Sequence, residues 1–264
     1  MAKGAQMKNR EGTPIWYELM TQTPDGAQDF YGKVMGWSYE TMPGMDYRIC
    51  GATPTEAVAG IMKTPEGAPF GSVWFVYFGV EDVDATAEKI KTLGGAIHME
   101  PKDIPGVGRF AFAADPQGAM FYVMRGESDE ASKAFMPMTT GHFCWNELVT
   151  SDQNAALEFY GKLFGFEVGG SMSMGPKMGD YTFIVHDGVG IGGAMNAFEE
   201  GAQPYWNFAI QVADIDVAKK AIEEAGGTVR MGPHELPNDS GWLIQATDPQ
   251  GAKIMFSGPR KASK

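Results

Sequence analysis

Alternation marks the first patterned stretch of the chain. In Ile15-Trp16-Tyr17-Glu18-Leu19-Met20, residues Ile15, Tyr17 and Leu19 fall on one side of an extended strand and Trp16, Glu18 and Met20 on the other. The period then changes: from about Pro24 to Met35, the residues Ala27, Phe30, Tyr31 and Val34 recur at helical spacing on one face, with Thr23 or Asp25 as candidate caps. The whole phrase returns at residues 141–166. There Cys144, Asn146 and Leu148 alternate with Trp145, Glu147 and Val149, and Ala156, Phe159, Tyr160 and Leu163 form the helical face behind Ser151 or Asp152. Both versions hold a glutamate, Glu18 or Glu147, in the middle of an otherwise apolar strand.

The repetition continues along the chain. Tyr31 and Tyr160 are 129 residues apart, the Gly-Gly pairs at 94–95 and 226–227 are 132 apart, and Asp-Pro-Gln-Gly-Ala recurs at 115 and 248, 133 apart. A slowly drifting offset means a duplicated domain with small loop insertions. The boundaries read as 1–126 and 141–264, joined by a polar linker at 127–140. Within each copy, strand-helix-strands is stated twice. The second helix starts near Asp82 or Asp214 and stops at the Gly-Gly pair, where a left-handed turn is expected. Each copy is therefore a pair of βαβββ units, an α+β arrangement, and the spacing leaves open whether units pair within a copy or across copies. Asp187-Gly188 predicts a tight hairpin turn. Gly188, Gly190 and Gly193 match G-x-G-x-x-G but lie in that hairpin arm, so they form no dinucleotide site.

Later strands indicate which side packs against helices. Trp74, Val76, Phe78 and Trp206, Phe208, Ile210 are apolar in both copies, as are Phe121, Val123 and Ile254, Phe256. Their alternates diverge: Phe75, Tyr77, Met120 and Tyr122 in the first copy, Asn207, Ala209, Lys253 and Met255 in the second. Helices outside and a varied inner face predict a curved mixed sheet enclosing a cup.

Composition narrows the partners. The 264 residues are 44% hydrophobic, enough for substantial cores, and the net charge of −12 disfavours a nucleic-acid backbone. No apolar run is long enough to span a bilayer, and the opening residues lack a signal-like segment, so a cytoplasmic protein with no membrane partner is expected. Two isolated cysteines, Cys50 and Cys144, read as small buried residues.

The strand followed by Phe-Tyr-Gly-Lys, the Gly-Gly helix ending and the Asp-Pro-Gln-Gly turn resemble the vicinal oxygen chelate superfamily, which includes glyoxalase I, bleomycin-resistance proteins and extradiol dioxygenases. The tandem form with Trp-Tyr-Glu-Leu and Trp-Asn-Glu-Leu is similar to bacterial two-domain glyoxalase-like proteins. The resemblance implies the cup-shaped fold, a small-molecule ligand or substrate, and in most enzymes of the group a divalent metal held by His, Gln or Glu. Carried onto this chain, the metal positions fall near Trp16, Gly60, Phe75 and Tyr122, and near Trp145, Gly193, Asn207 and Met255. Those side chains are poor ligands for a hard cation, and His98, His142, His186 and His234 are scattered singly. Neither a metal nor another cofactor is expected.

What remains is Glu18 and Glu147 as candidate catalytic residues, since a carboxylate on an apolar wall must find a partner or stay protonated. Trp16, Phe75, Tyr77 and Tyr122 are candidate ligand contacts in the first cup, and Trp145, Asn207, Lys253 and Met255 in the second. Lys253 has a second reading, as a solvated side chain beside its turn. Two functions stay open: an isomerase, lyase or hydrolase with a glutamate base, or a protein that sequesters a hydrophobic compound unchanged. A metal-dependent glyoxalase or dioxygenase ranks below both. The chain is expected to be a monomer with pseudo-dimeric halves or a homodimer. Calorimetry with Ni²⁺, Zn²⁺, Fe²⁺ or Mn²⁺ should therefore detect no micromolar site that survives replacement of all four histidines by Ala; such a site would restore the metalloenzyme reading.

Overall fold

The computed structural model describes residues 9–128, 130–197, 199 and 201–261, so most of the opening segment read for a signal lies outside it. The first copy runs β1 (Pro14–Thr21), α1 (Pro24–Met35), β2 (Ser38–Thr41), β3 (Tyr47–Thr53), β4 (Glu56–Lys63), β5 (Val73–Gly79), α2 (Val83–Thr92), β6 (Ala96–Ile104), β7 (Gly108–Ala114) and β8 (Met120–Gly126). The second runs β9 (Phe143–Thr150), α3 (Gln153–Phe164), β10 (Glu167–Ser173), β11 (Asp180–His186), β12 (Val189–Asn196), β13 (Tyr205–Gln211), α4 (Ile215–Glu224), β14 (Thr228–Glu235), β15 (Trp242–Thr247) and β16 (Lys253–Gly258). Each copy builds one eight-stranded mixed sheet, ordered β2-β3-β4-β1-β5-β8-β7-β6 and β10-β11-β12-β9-β13-β16-β15-β14. The fold is α+β with two tandem pairs of βαβββ units.

Local chemistry starts and stops the helices as expected. The Asp82, Asp152 and Asp214 carboxylates accept first-turn backbone N–H groups of α2, α3 and α4. Thr23 caps α1 without a side-chain bond, and Pro24 opens it. Gly94 and Gly226 adopt φ of +89° and +85°, which L side chains rarely take, and this reverses the chain after α2 and α4. Asp187 and Gly188, both with positive φ, form the turn between β11 and β12.

Contact grouping divides the chain differently from the repeat. Of the described residues, one compact unit holds those up to Ile15, those of Val76–Ser132 and those of Glu147–Trp206; the other holds Trp16–Phe75, Lys133–Asn146 and those from Asn207 onward. Each unit thus takes pieces from both copies. In the second, the Tyr31 hydroxyl of α1 donates to Asp248 Oδ2 at 3.1 Å and accepts from Trp74 Nε1 at 2.8 Å. The other oxygen of Asp248 accepts the backbone N–H groups of Gln250 and Ala252. The first unit repeats this with Tyr160, Asp115 Oδ2 at 3.1 Å and Trp206 Nε1 at 3.0 Å. All six side chains are buried. Around Tyr31 pack Phe30, Trp37 and Trp74; around Tyr160 pack Phe78, Phe121, Phe164 and Trp206. The rows Trp74-Val76-Phe78 and Trp206-Phe208-Ile210 therefore meet helix side chains, and their alternates lie on the opposite sheet face.

Equivalent positions also meet each other. Tyr17 and Asn146 are 129 residues apart, and the Tyr17 hydroxyl donates to Asn146 Oδ1 at 2.7 Å while its ring stacks on Phe143 at 3.6 Å. The linker is partly fixed: Ala134 is fully buried, its carbonyl accepts from Phe143 N, and Lys133 pairs with Glu56 at 2.7 Å.

Burial raises the Asp115 and Asp248 carboxyls above their ordinary range, against the opposing pull of the backbone N–H groups. A native pKa above the unfolded one means that each group's contribution is full below an unfolded pKa of about 3.9 and declines as pH rises through the window up to the native value. The excess stability of wild type over Asp115→Asn should accordingly shrink as pH rises from about 4, then level off, in urea titrations. A difference that does not vary with pH would contradict the assignment. Tyr31→Phe should cost about 1–3 kcal/mol, because it leaves both Asp248 and Trp74 short of a buried partner.

Candidate functional site

Parallel pairing of β1 with β4 sets Glu18 directly opposite Gly60. Antiparallel pairing of β3 with β4 sets Tyr47 opposite Met62, two residues further on. The Tyr47 ring leans diagonally along that face and lies on Gly60, where any Cβ would overlap its phenol oxygen and ring carbons. Here Tyr47 reaches both neighbours of the first strand. Its oxygen accepts from Trp16 Nε1 at 2.9 Å and its hydroxyl donates to the Glu18 carboxylate. Glu18, 4% exposed, thereby has the partner that a buried carboxylate requires. Burial first, and the Glu18 charge second, push the Tyr47 phenol well above its usual range, so it remains a neutral donor.

The first unit repeats the tyrosine-over-glycine contact. Tyr181 of β11 lies on Gly193 of β12, again where a Cβ would strike the ring. Glu147, in β9, is buried at 8% exposure. Sequence reading missed both tyrosines. The available signal was a second small repeat, Asp46-Tyr47 and Asp180-Tyr181, each followed by a glycine two residues before a methionine, Gly60-x-Met62 and Gly193-x-Met195.

The remaining candidates divide by copy. In the first, Phe75 is 2% exposed and packs edge-on against Phe70. Tyr77, Tyr122 and Phe112 form a stack across β5, β8 and β7, with centroids 4.2 Å and 4.4 Å apart. Aromatic residues expected to receive a ligand are thus buried against one another. In the second copy the equivalent strands carry Ala209 and Met255, paired in register, and Gln245 beside Met255. Cys144, Ala209 and Met255 form a small buried cluster against which Trp145 and Leu243 pack. Burial pushes the Cys144 thiol up to about 12, and its Sγ donates to Ala209 O at 3.4 Å, so it is a packing group rather than a nucleophile. Asn207 stands two residues before Ala209 in β13, and Lys253 two before Met255 in β16. Asn207 is 7% exposed and its Oδ1 is buried with no hydrogen-bond partner among the described residues; Lys253 is exposed.

The superfamily's metal can be tested against these residues. Gly60 and Gly193 have no donor and their space holds a phenol ring; Phe75, Tyr122, Trp145 and Met255 supply rings and a thioether. Among the described residues no group of three or more His, Cys, Asp or Glu is arranged to hold an ion. His142 is buried with Nδ1 3.2 Å from Thr140 O, His186 packs against Phe166, and His98 and His234 are exposed. The donor set does not fit a divalent metal.

This fold and face define a superfamily. The sequence profile of the Glyoxalase/Bleomycin resistance protein/Dioxygenase superfamily matches residues 14–123 and again 139–256, and the chain belongs to that superfamily. It is 34% identical over 250 residues to the glyoxylase-named protein CFP32 of Mycobacterium tuberculosis (strain CDC 1551 / Oshkosh), covering 92% of this chain and 93% of that one. It is 31% identical over 268 residues to the anthracycline biosynthesis protein DauV of Streptomyces sp. (strain C5), covering 95% and 94%. Among solved structures, the Mn(II)-bound glyoxalase from Novosphingobium aromaticivorans superposes with a TM-score of 0.67 at 16% identity, over 96% of this chain and 83% of that one, which is a likeness of fold. No helix of the described residues is long and apolar enough to cross a membrane.

If Tyr47 occupies the space that glycine leaves, the two positions must be coupled. Gly60→Ala alone should cost about 1–3 kcal/mol by overpacking, and that cost should vanish in a Tyr47→Ala background. Additive losses in a urea double-mutant cycle would mean that the ring does not depend on the glycine.

Proposed function

We propose that this chain binds a small organic molecule on the sheet faces turned away from the helices, without the superfamily's usual metal, and that a buried glutamate handles a proton there. The observation that carries this reading is the pair Glu18 and Tyr47: a buried carboxylate hydrogen-bonded to a neutral, only partly buried phenol at a position the superfamily gives to its metal. A carboxylate takes a proton from carbon or oxygen, and a neighbouring phenol donates one back; together they supply acid–base chemistry of the isomerase, lyase or hydrolase type. Glu147 is the corresponding base of the second copy. Trp16 holds the Tyr47 oxygen and is a positioning residue.

A second reading is favoured by a different observation. The buried cluster of Cys144, Ala209 and Met255, with Trp145 and Leu243 against it, is apolar and has no reactive group, as suits a protein that sequesters a hydrophobic compound unchanged. The names of the relatives support both readings, glyoxylase for CFP32 and anthracycline biosynthesis for DauV. A cytoplasmic location, with the small molecule as partner, accords with either.

Native mass spectrometry of purified protein should detect a retained organic molecule. Glu147→Gln keeps the shape and removes the base, so it should lower turnover of that molecule about 10²–10⁴-fold if it is a substrate, with the melting temperature nearly unchanged. Glu18→Gln should lose less function, because the first copy has no counterparts of Asn207 and Lys253. Equal melting-temperature losses at both sites with unaltered ligand binding would mean that the glutamates serve the architecture alone.

A further inference from the structure

Among the described residues four strands end the two sheets, β2 and β6 in one, β10 and β14 in the other. An edge strand presents a row of unpaired N–H and C=O groups, and folded proteins guard such rows with short strands, charges or proline. Three of these edges are guarded in that way. β2 has four residues, β6 contains Glu100, Pro101, Lys102 and Asp103, and β14 contains Arg230, Pro233 and Glu235. In β10 there is neither lysine nor proline, the one charge stands at the first residue, Glu167, and every residue except Met172 is exposed.

The pairing of β10 with β11 shows which of its backbone groups are free. Ser171, Met172 and Ser173 stand opposite Thr182, Tyr181 and Asp180, and the ladder continues to Met174, whose N–H bonds Gly179 O at 2.8 Å. Alternate residues of an antiparallel strand bond to the same neighbour, so Met172 and Met174 turn their backbone groups towards β11, while Ser171 and Ser173 turn theirs outward. The bulge of β10, between Val168 and Ser171, lies to one side of this regular run. Charge then indicates what can pair there. From Glu167 to Lys177 only those two residues are charged; both are exposed, and each is five residues from Met172. An antiparallel strand of the same sequence, centred on Met172, therefore sets Glu167 near lysine at one end and Lys177 near glutamate at the other. Both side chains are long enough to span the one-residue offset that the bulge adds.

We propose that β10 is a self-association edge: two molecules of this chain pair antiparallel about a twofold axis at Met172, with Ser171 and Ser173 exchanging backbone hydrogen bonds with the partner's Ser173 and the partner's Ser171. Such a contact is self-complementary, so one patch serves both molecules. So short a run buries less than the about 1,200 Å² of a stable interface, and the dimer therefore exchanges with monomer. The pairing needs no bound molecule and stands apart from the function proposed above.

Sedimentation velocity at concentrations from about 1 to about 500 µM tests it. The mean mass should rise with concentration from 28.6 kDa towards twice that value. Ser173→Pro removes an outward N–H and leaves the β10–β11 ladder intact, so it should keep the chain monomeric with an unchanged circular dichroism spectrum. Glu167→Lys or Lys177→Glu alone sets like charges together at both ends and should weaken association about tenfold, and the double reversal should restore it. General repulsion between molecules of net charge −12 would instead make Glu167→Lys associate more strongly. If the proline variant does not fold, the charge reversals decide the matter. A monomer at every concentration would overturn self-association, whether or not the edge takes a strand from another protein. A dimer that persists in Ser173→Pro, or a double reversal no stronger than the single ones, would put the contact on another face and overturn the pairing.

Discussion

A tyrosine hydroxyl buried between a tryptophan N–H and a carboxylate is the contact on which each compact unit depends. Tyr31 joins Trp74 to Asp248, and Tyr160 joins Trp206 to Asp115. In both chains the aspartate comes from the opposite copy of the repeat to the helix bearing the tyrosine. Its second oxygen is tied to the backbone of the Asp-Pro-Gln-Gly turn, so a single carboxylate fixes a turn, a helix and a strand at once. Burial raises both carboxyls above their ordinary range, against the pull of the backbone N–H groups and the tyrosine hydroxyl. The helices then present their aromatic faces to the sheets.

The sheet faces turned away from the helices have diverged in a manner that bears on function. The first copy fills its face with Tyr77, Tyr122 and Phe112 stacked on one another, whereas the second has Ala209, Met255 and Gln245 at the matching register and an amide at Asn207. Stacked rings already make the contacts that a ligand ring would make, so they gain little by exchanging them.

The tyrosine over glycine recurs in both copies, and in the first it supplies a hydrogen-bond donor to Glu18. Tyr47 gives Glu18 a neutral hydroxyl as its hydrogen-bond donor. Gly60 and Gly193 are therefore informative as spaces: each is the smallest residue because a ring occupies the volume above it.

Much of this was legible along the chain. Alternation at Ile15–Met20, helical spacing at Ala27–Val34, the aspartate caps and the Gly-Gly endings are interactions over a few residues, and strands and helices answer to such local rules. The twofold repeat is a property of the string itself, so the number of βαβββ units followed directly. The partner of Glu18 did not, because Tyr47 is 29 positions away and reaches it only after β3, β4 and β1 have paired in a given register. Nor did the pairing of Tyr31 with Asp248, since identical Tyr and Asp phrases in each copy satisfy the sequence equally well whether they join within a copy or across copies. Packing decides between these, because the choice depends on which aromatic surfaces can be buried together, and that is a property of three-dimensional shape with no trace in the spacing of residues.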